Sequence, residues 1–409
     1  MLLMARLSVK KRFKMRPLII GLMFLQSATA SVLTLDDILQ HAQQSKLLSQ
    51  TITQEGLALE SKNLADTQTD PLTFNHALSR ANSKAISGYE HEVSLSKEFK
   101  LGNIQSLEQK QNRLNNEAHL LEQEKYLISF DNRLKNLYHQ HCLGASYLGS
   151  FQEGYDNFAT LYSKKERAFQ HDEIAKTELL QLEFEKNRLQ IELNNLNRKQ
   201  ESSKSQLLSL TSLNSNDNLS CQDIYPIVQE VHLGNNAFAL SEQAYAKRIE
   251  STQVGLNRYS KKLESIEVSM GYTKELETDI YTIGVSIPLN FSSNKSEHER
   301  ASLMHQSSAI SLQNEQQMAD KKYRVRELEA KLSRDFQNIE AQKENINHYA
   351  NSLLPLMKKS YDYGESSVIE YLLSQQKLTS LEQELLEEKK AYYATLFQLY
   401  SMSETKDNK

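Results

Sequence analysis

Tyr281-Thr282-Ile283-Gly284-Val285-Ser286-Ile287-Pro288-Leu289-Asn290-Phe291 alternates large apolar side chains with small or polar ones. Successive side chains of a strand point to opposite faces, so a period of two predicts a strand with one greasy and one wet face. Ile266, Val268, Met270 and Tyr272 alternate with Glu267, Ser269, Gly271 and Thr273 in the same way. Earlier in the chain, Leu72, Phe74 and Leu78 share one face, as do Tyr89, Val93, Leu95 and Phe99. These four segments, placed at about 71–80, 89–99, 263–273 and 279–291, have the length that a tilted membrane strand needs. Aromatic residues near their ends (Tyr89, Phe99, Tyr281, Phe291) sit where an interfacial girdle would lie. His91 and Lys97 interrupt the apolar face, Lys97 close enough to an end to snorkel.

Outward from the strands, the sequence repeats itself at an offset of 192. Tyr89, Val93, Ser94, Leu95 and Phe99 fall on Tyr281, Val285, Ser286, Ile287 and Phe291, and Glu178-Leu179-Leu180 falls on Glu370-Tyr371-Leu372. Register held without a gap over such a distance marks an internal duplication. The first repeat is assigned to 31–215 and the second to 216–402, followed by a polar tail, 403–409. Each reads helix, strand, strand, long helix, return helix. The leading helices are placed at Thr34 to Ala65 and Asp223 to Lys262, the long ones at 103–167 and 294–359, and the return helices at 174–210 and 367–400. Some 65 helical residues span roughly 100 Å, more than one globular core is thick, so these helices must pack side by side as a rod or tube. Leu182, Leu189 and Leu196, then Tyr371, Leu378, Leu385, Tyr392 and Leu399, recur every seven residues as helix–helix seams do. Gly144, Gly149 and Gly154 predict a bend or loosened turn in the first long helix.

Composition agrees with a mainly helical chain carrying a small β part. Only 39% of the 409 residues are hydrophobic, with 12 glycines, 5 prolines and no tryptophan, poor material for the many tight turns of a compact α/β enzyme. A basic stretch with Arg6, Lys10, Lys11, Arg12, Lys14 and Arg16, the short apolar run Leu18 to Leu25 and Ala28-Thr29-Ala30 read as a signal peptide over 1–30. Removing those six cations takes the net charge from −4 to −10, against a nucleic-acid partner. Beyond Ser31 no stretch is apolar enough for a membrane helix. A membrane crossing therefore falls to the strands. Four strands cannot close a barrel, and open edges in lipid leave amides without partners. Closure therefore predicts a homotrimer with 12 strands. In an oxidising periplasm Cys142 and Cys221 either pair or remain two separate buried thiols.

Tyr363-Gly364-Glu365-Ser366-Ser367-Val368-Ile369-Glu370-Tyr371-Leu372 resembles the hairpin-tip segment of the TolC-like outer-membrane efflux family. Thr282 to Phe291 resembles that family's closing strand, and Glu98-Phe99-Lys100-Leu101-Gly102-Asn103 its strand-to-helix junction. The resemblance extends over essentially the whole mature chain. It implies a trimeric β-barrel in the outer membrane of a Gram-negative bacterium, continued by a periplasmic α-helical barrel. It also implies a passive conduit whose hairpin tips, Asp172 and Glu173 with Gly364 and Glu365, dock a periplasmic adaptor that meets an inner-membrane transporter. Glu178 and Glu370 are the carboxylates best placed for pore-lining rings, exposed helix charges being the alternative. Asp172 stands where the family tip carries glycine, Ser292-Ser293-Asn294 replaces a glycine-rich junction, and Leu373 occupies a position that is acidic in some members.

No P-loop, dinucleotide fingerprint, nucleophile elbow or spaced zinc-ligand set occurs, so no enzyme activity, cofactor or metal is expected. His139, His141 and Cys142 are too few and unevenly spaced for a metal site. The cargo (drug, metal ion or secreted protein) is not written in the sequence. The competing class is a soluble periplasmic coiled-coil scaffold or adaptor, which gives no reason for alternating strands.

Overall fold

The computed structural model describes residues 32–82, 87–211, 213, 217–233, 237–261, 263–288 and 294–405. The leader over 1–30 and the Ser292-Ser293 junction lie outside them. The chain begins with β1 (Val32–Leu33), α1 (Leu35–Gln44) and α2 (Lys46–Thr67). A capping box starts α1: the Thr34 hydroxyl accepts the Asp37 N–H, and the Asp37 carboxylate accepts the Thr34 N–H. The leading helix is thus two helices rather than one. Ser45, at ψ 131°, leaves helical geometry between them, as a residue whose hydroxyl competes for backbone groups readily does.

Strands β2 (Thr73–Asn82) and β3 (Ser87–Lys100) lead into α3 (Ile104–Gln170) and its return helix α4 (Lys176–Thr211). The second repeat follows as β4 (Asn218–Leu219), α5 (Ala239–Arg258), β5 (Ser265–Lys274), β6 (Asp279–Ser286), α6 (Lys295–His348), α7 (Leu354–Asp362) and α8 (Val368–Ser403). β5 lies 192 residues after β2 at both ends, and α8 lies 192 after α4 at both ends. β2, β3, β5 and β6 form one antiparallel sheet in that order, while β1 and β4 pair in parallel.

Three expectations are corrected here. The second leading helix starts at Ala239, not Asp223. Pro226 pushes Tyr225 out of helical space, and Ile224, Ile227 and Val231, whose spacing mimics a helix face, instead pack as an extended strap on the helical core. The loosened turn expected at Gly144, Gly149 and Gly154 is absent: α3 is one continuous helix through them. The interruption falls in the second repeat, where Tyr349–Leu353 forms a π-turn between α6 and α7. Pro355 has no N–H for the carbonyl four residues back, and the Leu354 N–H reaches the Tyr349 oxygen instead. Finally, β6 ends at Ser286 rather than Phe291: Ile287 and Pro288 have left the ladder, and proline has no N–H to give it. Residues 289–291 are outside the described set.

The core lies between helices and not beneath the sheet. Its largest part joins α3, α6 and α8 through Leu143, Tyr147, Leu328, Leu332, Tyr392 and Phe397. A second part packs α1 against α3 and the end of α4, around Ile38, Leu134, Tyr138, Cys142 and Leu207. A small third part near the hairpin tips joins Phe158 and Leu182 to Val368 and Leu372. The seven-residue stripes lie in these seams: Leu182, Tyr392 and Leu399 are fully buried, with Leu189, Leu196 and Leu385 packed alongside.

Candidate functional site: a two-faced sheet, a strapped waist and two hairpin tips

No residue of β2, β3, β5 or β6 is buried. The register nevertheless sorts them sharply. One face carries Phe74 and Leu78 on β2, Val93, Leu95 and Phe99 on β3, Ile266, Val268 and Met270 on β5, and Tyr281, Ile283 and Val285 on β6. Tyr281 and Ile283 are 80% and 83% exposed, so nothing among the described residues covers this face. The other face carries Asn75 and Ser79, Glu90, Glu92, Ser94 and Glu98, Glu267 and Ser269, Thr282 and Ser286. Glu98 and Glu267 stand directly opposite each other, two like charges on neighbouring strands. Lys100, the basic residue on this face, is turned toward α3, where its ammonium meets Glu108 at 2.5 Å. The outer edges of β2 and β6 have no partner among the described residues.

Where the repeats join, the strap is fastened from both sides. Cys142 of α3 and Cys221 form a disulfide, with Cα atoms 5.3 Å apart. The Tyr138 hydroxyl donates to the Ser220 carbonyl, and the Tyr393 hydroxyl to that of Tyr225. The Tyr392 hydroxyl accepts the Val228 N–H at 2.9 Å and donates to the Val228 carbonyl at 2.8 Å. His139, fully buried, accepts the Tyr225 N–H on Nε2 at 2.9 Å, which leaves Nδ1 to donate to the Lys135 carbonyl at 2.7 Å. Two residues on, His141 lies beside Gln200; burial, with Lys204 nearby, holds its imidazole down at about 4. Among the described residues no group of three or more His, Cys, Asp or Glu side chains is arranged to hold a metal ion.

The expected polar tail is anchored as far as Thr405. Phe238 N–H donates to the Ser403 carbonyl, and the buried Glu404 carboxylate accepts from Lys321 at 2.5 Å, from the Ser241 N–H at 2.8 Å and from the Ser241 hydroxyl. Burial raises this carboxyl, but the bonds from Lys321 and Ser241 outweigh it and hold it below the ordinary value. Glu404 is held there by its ion pair with Lys321. Residues 406–409 lie outside the described set.

At the far end the two hairpins turn through the same motif. Asp172 and Gly364 both adopt positive φ, 58° and 73°. Glu173 N–H reaches the Ala168 carbonyl and Asp172 N–H that of Phe169; Glu365 and Gly364 repeat these bonds to Ser360 and Tyr361. This is the paired closure of a helix whose next residue is left-handed, a conformation glycine adopts freely and aspartate tolerates. The duplicated glutamates then diverge. Glu370 closes a capping box with Ser367, whose N–H it accepts at 2.8 Å. Position 175 is alanine, so Glu178 has no such partner; it accepts from the Tyr361 hydroxyl at 3.2 Å and pairs with Lys165 at 3.3 Å. Lys165 also lies 4.7 Å over the Tyr361 ring, which stacks on Tyr371 at 5.2 Å. Glu178 thereby ties the α3–α4 hairpin to the α7–α8 hairpin. Tyr361 and Lys165 escaped the sequence reading, because contacts between hairpins leave no periodic signal.

No helix among the described residues is long and apolar enough to cross a membrane. No protein-family model and no curated protein sequence matches the chain. Solved structures do. CusC, studied for its folding and transmembrane channel formation, superimposes with a TM-score of 0.73 at 15% identity over 90% of this chain and 91% of its own. The Campylobacter jejuni CmeC outer-membrane channel gives 0.72 at 13% identity over 98% and 96%. The Neisseria gonorrhoeae MtrE outer-membrane channel, in its open state, gives 0.68 at 14% identity over 90% and 88%.

Proposed function

We propose, from the TolC-like outer-membrane channel fold that this chain has, that it is the outer-membrane exit duct of a tripartite export system. The observation that carries the reading is the exposed, two-faced, four-stranded sheet with two open edges. In water its apolar face would stay wet and its edges would invite aggregation; in lipid as a lone sheet its edge amides would lack partners. Three copies, each pairing β6 with the next copy's β2, satisfy both conditions with a 12-stranded barrel. The apolar face then meets lipid, and Glu90, Glu92, Glu98 and Glu267 line the lumen. The long helices continue the wall as a periplasmic tube whose hairpin tips, at Asp172, Glu173, Gly364 and Glu365, meet a periplasmic adaptor and through it an inner-membrane transporter. Such a transporter would supply the energy, and this chain a passive path. Glu178 and Glu370, in the first turns of the return helices, would ring the periplasmic entrance with carboxylates.

The test is to purify the mature protein from membranes in detergent and measure its mass and its single-channel conductance in a lipid bilayer. A conducting trimer with cation preference, weakened in the pair E98Q and E267Q, is expected, since rings of carboxylates attract cations. A water-soluble species without conductance would leave the periplasmic scaffold as the better account.

A further inference from the structure

We infer that the outward face of the sheet carries, at its hairpin-turn end, a belt that binds the phosphate-bearing head groups of anionic lipids. The inference rests on the duct reading and adds a lipid partner to it. The register stacks the apolar face in rows. Phe74, Leu95, Met270 and Ile283 make a central row, and toward the helices the face stays apolar except for Lys97. In the other direction the chemistry changes within one row. His76 lies level with Val93, Tyr272 and Tyr281; Leu78 with His91, Lys274 and Asp279; and Arg80 with Tyr89. Two residues of strand advance about 6.7 Å, so His76 to Arg80 spans about 13 Å along the strand. At a strand tilt of about 40° this is roughly 10 Å of depth, comparable to a head-group layer.

The belt is sorted by sign as well as by depth. Arg80, Lys274, His76 and His91 all lie on the outward face, while Glu90 and Glu92, from the same end of the sheet, lie on the opposite one. Among the described residues Asp279 is the outward face's single carboxylate, and it is held by Lys274 at 3.2 Å and the Tyr272 hydroxyl at 2.7 Å. A neutral interface would accept either sign; cations outside and carboxylates inside complement an anionic layer. Arg80 brings a planar fork that matches phosphate oxygens. The exposed imidazoles of His76 and His91, stacked at 6.0 Å, each offer an N–H in either protonation state. At the helical end Lys97 is the lone cation on this face among the described residues, lying 5.8 Å over Phe99, so the belt favours the leaflet at the hairpin turns.

The experiment presents the purified mature trimer with mixed micelles of phosphatidylglycerol and phosphatidylcholine, and counts retained lipids by native mass spectrometry. Conductance in pure phosphatidylcholine bilayers is measured in parallel. Phosphatidylglycerol should be retained preferentially. Removing the guanidinium in R80Q should lower the preference by about fivefold, the worth of one Lys or Arg at an anionic surface, and R80Q/H91Q should lower it at least as far. E90Q, on the opposite face, should leave it unchanged. Equal retention of the two lipids by the wild type, or an undiminished preference in R80Q/H91Q, overturns the belt. So does loss of the preference in millimolar inorganic phosphate, which would make this a site for the free ion. A protein that conducts without lipid preference sinks the belt alone; one that neither inserts nor conducts sinks the duct with it.

Discussion

Replacing both cysteines, as C142A/C221A, tests whether the waist owes its stability to a covalent staple or to the hydrogen bonds around it. The disulfide closes a loop with a sequence separation of 79 residues, comprising the tip half of α3, all of α4 and the start of the strap. In the chain-entropy account, opening such a loop frees the denatured state by about 15 cal/mol/K, or about 4.5 kcal/mol at 25 °C. That is a ceiling, because a detergent-denatured state that keeps its helices has less entropy to regain. The native state loses little else: both sulfurs sit in a packed cluster with Leu134, Tyr138 and Leu207, which two alanine methyls still partly fill. Urea unfolding in mild detergent, followed by far-ultraviolet circular dichroism, should therefore show a loss of about 2–4.5 kcal/mol. Hydrogen exchange at Val228 should rise with it, since the Tyr392 bonds then hold a strap no longer tethered at Cys221. A loss below about 0.5 kcal/mol, with Val228 still protected, would refute the reasoning. It would mean that His139 and the tyrosines fix the strap by themselves, and that the loop is ordered in the denatured state.

Other expectations follow from the same geometry. E404Q leaves Lys321, only 18% exposed, without its counter-charge, and should cost about 3–5 kcal/mol by thermal unfolding; adding K321M should recover part of it. His141, held at about 4 by burial and by Lys204, stays neutral in the fold while the unfolded chain takes up a proton below about 6.5. Its contribution is whole above that pH and is lost as pH falls toward 4, at up to about 1.4 kcal/mol per unit; H141Q should flatten that part of a stability–pH curve. D172G should stabilise its hairpin by about 1 kcal/mol and G364A destabilise the other by a similar amount, since both positions are left-handed. Opposite signs in differential scanning calorimetry are the check, and a shared sign would count against equivalent tips.

The sheet and the tips were legible in the sequence because each obeys a short rule. Alternation sorts the residues of β2, β3, β5 and β6 without reference to anything distant, and Gly364-Glu365 marks a turn by backbone preference alone. The offset of 192 carried that reading from the clear second repeat to the weaker first. The strap was hidden because Ile224, Ile227 and Val231 imitate a helical face; Pro226 is the contrary signal. Pro355 marks the π-turn, whereas α3 runs as one continuous helix through its three glycines. The heptad stripe placed Tyr392 in a seam but said nothing of its hydroxyl, which fastens the linker. Glu404 was lost in a polar tail because a buried ion pair is known only from its partner, and Lys321 lies 83 residues away.

The open edges of β2 and β6 also bear on how copies of the chain find one another. Joining one copy's β6 to another's β2 is a head-to-tail contact, and such contacts grow without limit unless the rotation between copies closes. A strand edge by itself sets that rotation loosely, since twist varies from sheet to sheet. Long helices packed against their neighbours act as levers of about 100 Å that fix the angle far more tightly than four short strands can. Assembly is then a race whose product depends on concentration and timing. In the trimeric duct proposed above, copies meeting with docked helices would close once the third is in place, and copies meeting edge-first with undocked helices would form open filaments. Conditions that slow helix packing should therefore shift the yield from rings to fibres while each strand remains correctly paired.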